Sequence, residues 1–122
     1  MSQPSRRDFL KAGLAAAAST LPAFGASQDL PTLSLKQASD LIRRRYLSPV
    51  ELTEACLKRI DTYNPSLNAF ITITRDQALA AAREREAELR KGTWRGPLHG
   101  VPIALKDNID TADRMPTTAG SL

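Results

Sequence analysis

The sequence of 122 residues predicts an α/β fold, with about three helices and two strands following an N-terminal targeting segment. Three stretches repeat apolar residues at helical spacing, and two short apolar or β-branched runs lie between turn residues. Apolar residues make up 42% of the sequence and charged residues 25%, as in ordinary globular proteins. A chain of this length has room for one small domain at most.

Residues 1–26 have the pattern of a secretory signal peptide. A basic head at residues 5–11 (SRRDFLK) precedes an Ala-rich apolar stretch at residues 12–21 and a small-residue end. The paired arginines in this setting resemble a twin-arginine export signal, residue for residue. Ala23 and Gly25 suit the small positions before a cleavage site, so we expect cleavage between Gly25 and Ala26. The alternative interpretation is an amphipathic N-terminal helix.

A twin-arginine signal implies a partner and a compartment. The partner is the twin-arginine export machinery, which carries proteins that have already folded. We therefore expect a periplasmic or secreted protein, in which residues 27–122 form the mature part.

Charge and residue counts exclude several classes of partner. Lys and Arg number 17 against 13 Asp and Glu, but residues 1–25 hold three basic residues and one acidic residue. The remainder therefore has a net charge of +2 with both signs interspersed, which argues against a nucleic-acid binder. One Cys and one His indicate neither a disulfide framework nor a structural metal site. No apolar stretch is long enough for a stable membrane span.

Two helices are predicted early in the mature region. Ser34 followed by Gln37 is a capping box, and apolar residues at helical spacing continue it over residues 35–47. The second helix begins at residues 48–51 (SPVE), which supply a cap, a Pro at the first helical position and a Glu at the third. We expect it to end at residues 64–65, because proline restricts the residue before it.

The second half of the mature region alternates strands and a helix. A β-branched run at residues 69–73 predicts a strand. Thr74 is predicted to cap an Ala-rich helix over residues 75–91, which ends at Gly92. The apolar run at residues 101–106 predicts a buried strand. The tail, residues 109–122, has no periodicity.

Lys106 is the candidate functional residue because it ends that last apolar run. The carboxyl ends of strands are where α/β sheets usually place chemistry. A buried ammonium is costly, so a lysine inside a fold is paired or neutral, and a neutral lysine can act as a general base. Alternatively, Lys106 reaches the surface and pairs with Asp107 or Asp110. Periodicity alone favours this second interpretation.

The sequence around Lys106 resembles the amidase signature family. The resemblance lies in residues 98–109 (LHGVPIALKDNI) and residues 116–121 (PTTAGS). The upstream order of two helices, a Leu-Asn-Ala-Phe stretch and an Ala-rich helix also matches, so the resemblance extends over residues 32–122. It implies that residues 27–122 are the N-terminal portion of an amidase domain, whose mixed-sheet α/β fold is incomplete in this chain.

The resemblance also implies a chemistry. The family hydrolyses carboxamide C–N bonds through an acyl-enzyme on a Ser–cis-Ser–Lys triad, in which a neutral lysine takes a proton from a bridging serine. Lys106 corresponds to the triad lysine, and Asp107 and Asn108 would be supporting residues behind it. The triad needs no metal and no organic cofactor. The substrate of the complete enzyme would be a small-molecule amide.

One part of the family pattern is missing. The two triad serines of the family lie in a Gly- and Ser-rich segment downstream of the lysine, and this sequence has no such segment. A dyad of Ser121 with Lys106 is conceivable, although that serine is not the nucleophile in the family pattern. We therefore expect an N-terminal fragment of an exported amidase, inactive by itself.

Two alternatives stay open at this point. The chain could be a non-catalytic truncated product or binding module. It could also be a fragment of the glutaminase subunit of a tRNA-dependent amidotransferase, which resembles the same segment. The cytoplasmic work of that subunit disagrees with an export signal.

Overall fold

A computed structural model describes residues 29–112 and 115–120. The predicted signal peptide, its cleavage site and Ser121 lie outside the described residues. A short 3-10 turn (Leu30–Thr32) precedes three helices, α1 (Leu35–Arg43), α2 (Pro49–Leu67) and α3 (Arg75–Arg90). After α3, the described residues form turns and irregular segments. None of the helices in the described part is both long and apolar enough to cross a membrane.

Both predicted capping boxes are confirmed. Ser34 Oγ accepts a hydrogen bond from the Gln37 N–H, and the Gln37 side chain accepts one from the Ser34 N–H at 2.9 Å. Ser48 and Glu51 make the same reciprocal pair at the start of α2. These bonds satisfy N–H groups that have no partner inside a helix, so they set where both helices begin.

Helix α1 ends at Arg43, four residues before the predicted end. Arg45 adopts a left-handed backbone with φ of 62°. The Arg45 N–H donates to the Ile42 carbonyl, and the Tyr46 N–H donates to the Leu41 carbonyl. This is a Schellman ending, in which glycine usually occupies the left-handed position. Tyr46, the last member of the apolar spacing that suggested a longer helix, is exposed, and Leu47 lies in the core outside the helix.

Helix α2 continues through Pro65, so the predicted end at residues 64–65 is wrong. Pro65 lies in the last turn, where its missing N–H removes one helical bond, and Asp61, whose carbonyl would receive that bond, is exposed. The helix ends two residues later, at Leu67, and Asn68 follows it as the C-cap. There Asn68 takes φ of 48° and its N–H donates to the Asn64 carbonyl at 2.8 Å.

Helix α3 begins at Arg75 and ends at Arg90, within one residue of the predicted bounds. The predicted side-chain cap is wrong, because Thr74 makes no capping hydrogen bond. Gly92 follows the helix with a left-handed φ of 86°, as expected for a glycine after a helix end.

A small core joins the three helices. Its buried members are Ala38, Ile42, Leu47, Leu52 and Leu89, and Ile42 is fully buried. Trp94 and Val101, from the segment after α3, pack against this core and are partly buried. The region that leads to Lys106 is therefore attached to the helices through apolar contacts.

Neither predicted strand is present among the described residues. Residues 69–73 and 101–106 belong to no β-ladder, and Ile71 and Ile103 are 68% and 70% exposed. Composition favours an extended chain there, but a strand also needs a neighbouring strand to accept and donate its backbone hydrogen bonds. The α/β class is therefore not confirmed by the described residues, whose regular structure is helical.

A side chain bonds to the backbone at the start of residues 69–73. Asn64 Oδ1 accepts from the Phe70 N–H at 2.8 Å, and Asn64 Nδ2 donates to the Phe70 carbonyl at 3.1 Å. This pair occupies both backbone groups of Phe70, as a neighbouring strand would.

The turn before residues 101–106 packs tightly on the start of α2. Gly100 has φ of 76°, and a Cβ built there would lie 2.7 Å from Cγ of the fully buried Pro49. We expect Gly100→Ala to lower the free energy of unfolding by about 2–4 kcal/mol, since left-handed strain and overpacking add. Urea unfolding followed by circular dichroism measures this difference.

Gly92→Ala is the matched control for that substitution. Gly92 has a similar φ of 86°, but nothing lies within 4 Å of the added Cβ. It should cost only the backbone strain, about 1–2 kcal/mol. Equal losses in the two variants would show that the contact with Pro49 contributes nothing.

Candidate active site

Lys106 opens a hydrogen-bonded turn at the end of a segment without regular secondary structure. The Ile109 N–H donates to the Lys106 carbonyl at 3.0 Å. The side chain is exposed and makes no hydrogen bond or ion pair with another described residue. The structure therefore places Lys106 at the surface of the described part, but without the ion pair to Asp107 or Asp110 that the sequence suggested.

Asp107 is held by a residue that lies 11 positions further along the chain. Its carboxylate accepts hydrogen bonds from the Thr118 hydroxyl and from the Thr118 N–H, the latter at 3.0 Å. Its carbonyl accepts from the Ala119 N–H at 3.0 Å. We call this set of bonds the Asp107–Thr118 clasp.

The clasp stabilises the ionised carboxylate. Hydrogen bonds from the Thr118 hydroxyl and N–H are the main reason that the pKa of Asp107 lies below its ordinary value, and partial desolvation opposes them. The Gly120 N–H and the charge of Lys106 lower the pKa of Asp107 further, although the two side chains form no ion pair.

Two left-handed residues and two further hydrogen bonds fix the conformation of residues 117–120. Ala119 and Gly120 are consecutive left-handed residues, with φ of 51° and 76°, and they turn the chain back on itself. The Thr117 hydroxyl donates to the Ile109 carbonyl at 3.3 Å, and the Gly120 N–H donates to the Thr118 hydroxyl at 3.4 Å. The turn that begins at Lys106 is thus bonded to residues 117–119.

The two predicted supporting residues have different surroundings. Asp107 has specific partners, whereas Asn108 is exposed and makes no side-chain hydrogen bond with another described residue. Sequence reasoning did not single out Thr118. Its only signal was its place in the PTTAGS motif, which does not reveal which residue its hydroxyl contacts.

Residues 98–109, which we call the lysine segment, are attached to α3 through His99, upstream of Lys106. His99 is 4% exposed, its Nδ1 accepts from the Arg95 N–H at 3.1 Å, and its Nε2 lies 2.9 Å from the Arg85 carbonyl oxygen. Because a carbonyl can only accept, Nε2 carries the proton. The ring also stacks on Trp94 with centroids 5.2 Å apart. Both ring nitrogens are engaged in hydrogen bonds to the backbone, so His99 acts as a structural residue here.

Glu88, near the end of α3, holds the same loop through hydrogen bonds from Arg95. Glu88 accepts hydrogen bonds from Arg85 Nη1 at 2.9 Å and from Arg95 Nε at 2.8 Å, and its side chain is 19% exposed. The bond from Arg95 is the main cause of the lowered pKa of Glu88, and the same bond raises the pKa of Arg95. Arg95 is the residue whose N–H holds His99, so the two contacts support each other.

An open groove of about 630 Å³ runs between α3 and the loop that leads to Lys106. Its walls are mostly small or apolar, with Ala78, Ala82, Leu98 and Ile103 among them, and Lys106 does not line it. The groove therefore lies beside the lysine segment and not at the candidate base. Nothing in its lining offers an activated nucleophile, since both nitrogens of His99 are occupied.

Two family models match the chain. The model described as Amidase matches residues 51–122, which include most of α2, all of α3 and the lysine segment. The model of the twin-arginine translocation pathway signal sequence matches residues 3–23, so the chain carries an export signal there.

Curated relatives match most of the chain. It is 42% identical over 92 residues to an amidase of Pseudomonas putida, a match that covers 75% of this chain and 19% of the relative. It is 46% identical over 93 residues to a subunit of the glutamyl-tRNA(Gln) amidotransferase of Chloroflexus aurantiacus, covering 76% and 19%. The corresponding amidotransferase subunit of Bartonella tribocorum is 48% identical over 83 residues, covering 68% and 17%.

Each match covers most of this chain but only a small part of the relative. The chain spans about a fifth of the length of these curated relatives. No solved structure matches it.

Proposed function

The chain belongs to the amidase family, and we propose that it supplies the catalytic base, Lys106, of an exported enzyme that hydrolyses carboxamide C–N bonds. The observation that carries this proposal is the place of Lys106. It lies within the matched region, with an exposed amine, and its backbone begins a turn held by Asp107 and Thr118. An exposed amine is accessible to a partner group.

The proposed chemistry is acyl transfer through two serines. Nζ of Lys106 takes the hydroxyl proton of a bridging serine held by a cis peptide, and that serine takes the proton of the nucleophilic serine. The nucleophile attacks the amide carbon, the C–N bond breaks as the leaving amine receives the proton that Lys106 took up, and water then hydrolyses the acyl-enzyme. The proposal needs two serines from a Gly- and Ser-rich segment, and the 122 residues of this sequence include no such segment. The substrate is a small-molecule amide, and the chain alone is inactive.

The two segments that were predicted as strands fit the same proposal. Residues 69–73 and 101–106 carry exposed apolar side chains and belong to no ladder among the described residues. In the complete α/β domain they would be strands of a mixed sheet, and Lys106 would stand at the carboxyl end of one of them. The export signal supports a product that acts in the periplasm or outside the cell, with the twin-arginine machinery as its partner.

A second candidate is a glutaminase-type subunit of a tRNA-dependent amidotransferase. The similarity to the two amidotransferase subunits supports it. The signal sequence at residues 3–23 disfavours it, because that subunit works in the cytoplasm. Ammonia release by the full-length product of the source gene, measured with and without the other components of such an amidotransferase, would separate the two.

A chimera tests the proposal directly. Residues 29–122 are joined to the part of the Pseudomonas putida amidase that follows its matched region, and ammonia release from simple amides is measured. We expect hydrolysis in this chimera. A chimera that is folded by circular dichroism but inactive would contradict the proposal and favour a binding module.

The source gene offers an independent test. We expect the reading frame to continue past codon 122 into a Gly- and Ser-rich segment with two serines, and the native product to have the corresponding mass. A stop codon after codon 122, with a native mass equal to that of this chain with or without its signal peptide, would exclude hydrolysis by the proposed triad.

A further inference from the structure

We infer that Thr118 is a positioning residue for Lys106, and that it acts through Asp107. This inference rests on the proposed function, because it concerns the group that would serve as base. It is carried by the hydrogen bonds of the Asp107–Thr118 clasp and by the lack of other fixed contacts around the lysine among the described residues.

The first step concerns which side of Lys106 is held. Upstream, residues 102–105 have no regular secondary structure and make no hydrogen bond with described residues, and Ile103 and Leu105 are 70% and 45% exposed. Downstream, the Ile109 N–H bonds to the Lys106 carbonyl, and three bonds from Thr118 and Ala119 hold Asp107. The backbone position of Lys106 is therefore set from its downstream side.

The second step concerns the Thr118 hydroxyl. The backbone N–H that bonds to Asp107 would remain with any residue other than proline, but the hydroxyl bond needs Thr or Ser. The Gly120 N–H donates to that hydroxyl at 3.4 Å, so the hydroxyl proton is free to be directed at the carboxylate. The identity of residue 118 thus decides how firmly Asp107 is held.

The third step concerns charge. Asp107 is the immediate neighbour of Lys106, and an ion pair between them would favour the charged amine, which cannot act as a base. In the structure the carboxylate bonds to Thr118 and forms no ion pair with Lys106. Thr118 therefore both fixes the turn and engages the carboxylate in hydrogen bonds that do not involve the amine.

The test uses the full chain, labelled with ¹³C and ¹⁵N, and compares Thr118→Val with Thr118→Ser. NMR follows the titration of the Asp107 carboxyl and the order of the Lys106 backbone amide. Thr118→Val should move the Asp107 midpoint up toward that of an ordinary aspartate, lower the Lys106 order, and speed exchange of the Ala119 N–H by about tenfold. Thr118→Ser should preserve all three readouts.

Thr117→Val is the matched control, because it makes the same change one residue earlier. Thr117 bonds to the Ile109 carbonyl and not to Asp107, so the Asp107 midpoint should stay at its original value. Unchanged amide shifts in α1, α2 and α3 would establish that each variant is folded. An Asp107 midpoint that is equal in Thr118→Val and the unchanged chain would overturn the inference.

A kinetic readout then separates positioning from mere structure. In the chimera, Thr118→Val should lower kcat with KM within about twofold, and Thr118→Ser should restore kcat. Full kcat in Thr118→Val would overturn the inference while leaving the amidase proposal intact. An inactive chimera would count against the amidase proposal only, since the NMR measurements do not depend on activity.

Discussion

Lys106→Ala is expected to lower kcat of the chimera for amide hydrolysis by about 10³-fold or more, which is the range for loss of a general base. No neighbouring described residue can replace it. The Asp107 carboxylate is engaged by Thr118 and its pKa is lowered, which makes it a weak base, and Asn108 has a neutral amide. Steady-state ammonia release with a saturating amide measures the loss.

Lys106→Arg distinguishes a base from a positive charge. A guanidinium keeps its proton in proteins, so this variant should be as inactive as Lys106→Ala. Lys58→Ala is the matched control, since Lys58 is an exposed lysine on α2, and it should keep the original kcat. Substantial activity in Lys106→Arg would show that the side chain contributes charge and not proton transfer.

His99→Ala is expected to lower the free energy of unfolding by about 2–4 kcal/mol. It removes hydrogen bonds to the Arg95 N–H and the Arg85 carbonyl, and it leaves a cavity beside Trp94. Because this ring attaches the lysine segment to α3, the loss should be accompanied by exposure of Trp94. Urea unfolding followed by tryptophan fluorescence reports both effects.

Leu98→Ala provides the control for that measurement. Leu98 is adjacent in the same turn but 57% exposed, so its truncation should change the free energy of unfolding by no more than about 0.5 kcal/mol. His99→Gln should recover part of the loss, because an amide can both donate and accept. If His99→Ala were as stable as Leu98→Ala, the buried hydrogen bonds of the ring would contribute nothing.

The starts of the helices could be predicted from sequence because their determinants are local. Ser34 with Gln37, and Ser48 with Glu51, need only three residues of separation to make their capping bonds. The ends were predicted less well. The left-handed Arg45 and the tolerated Pro65 depend on which groups are exposed or packed elsewhere, and no local pattern reports that.

In the candidate site, too, some features could be predicted from the sequence and others could not. Lys106 was identified from the motif in which it lies, and the family of the chain is shown by the match over residues 51–122. The roles of Thr118 and His99 could not be predicted, because their partners Asp107 and Arg85 lie 11 and 14 residues away in sequence. Such contacts depend on which segments of the chain pack against each other in the folded structure.

By itself, then, the sequence determined the export signal, the amidase family, the helix starts and the identity of the candidate base. These depend on short patterns whose physics is local or whose residues form a long, specific motif. The tertiary structure decided that residues 69–73 and 101–106 lack strand partners among the described residues, and that Asp107 is held by Thr118 and not by Lys106. Pairing and hydrogen-bond choice depend on which groups approach in space, and a sequence pattern does not specify that.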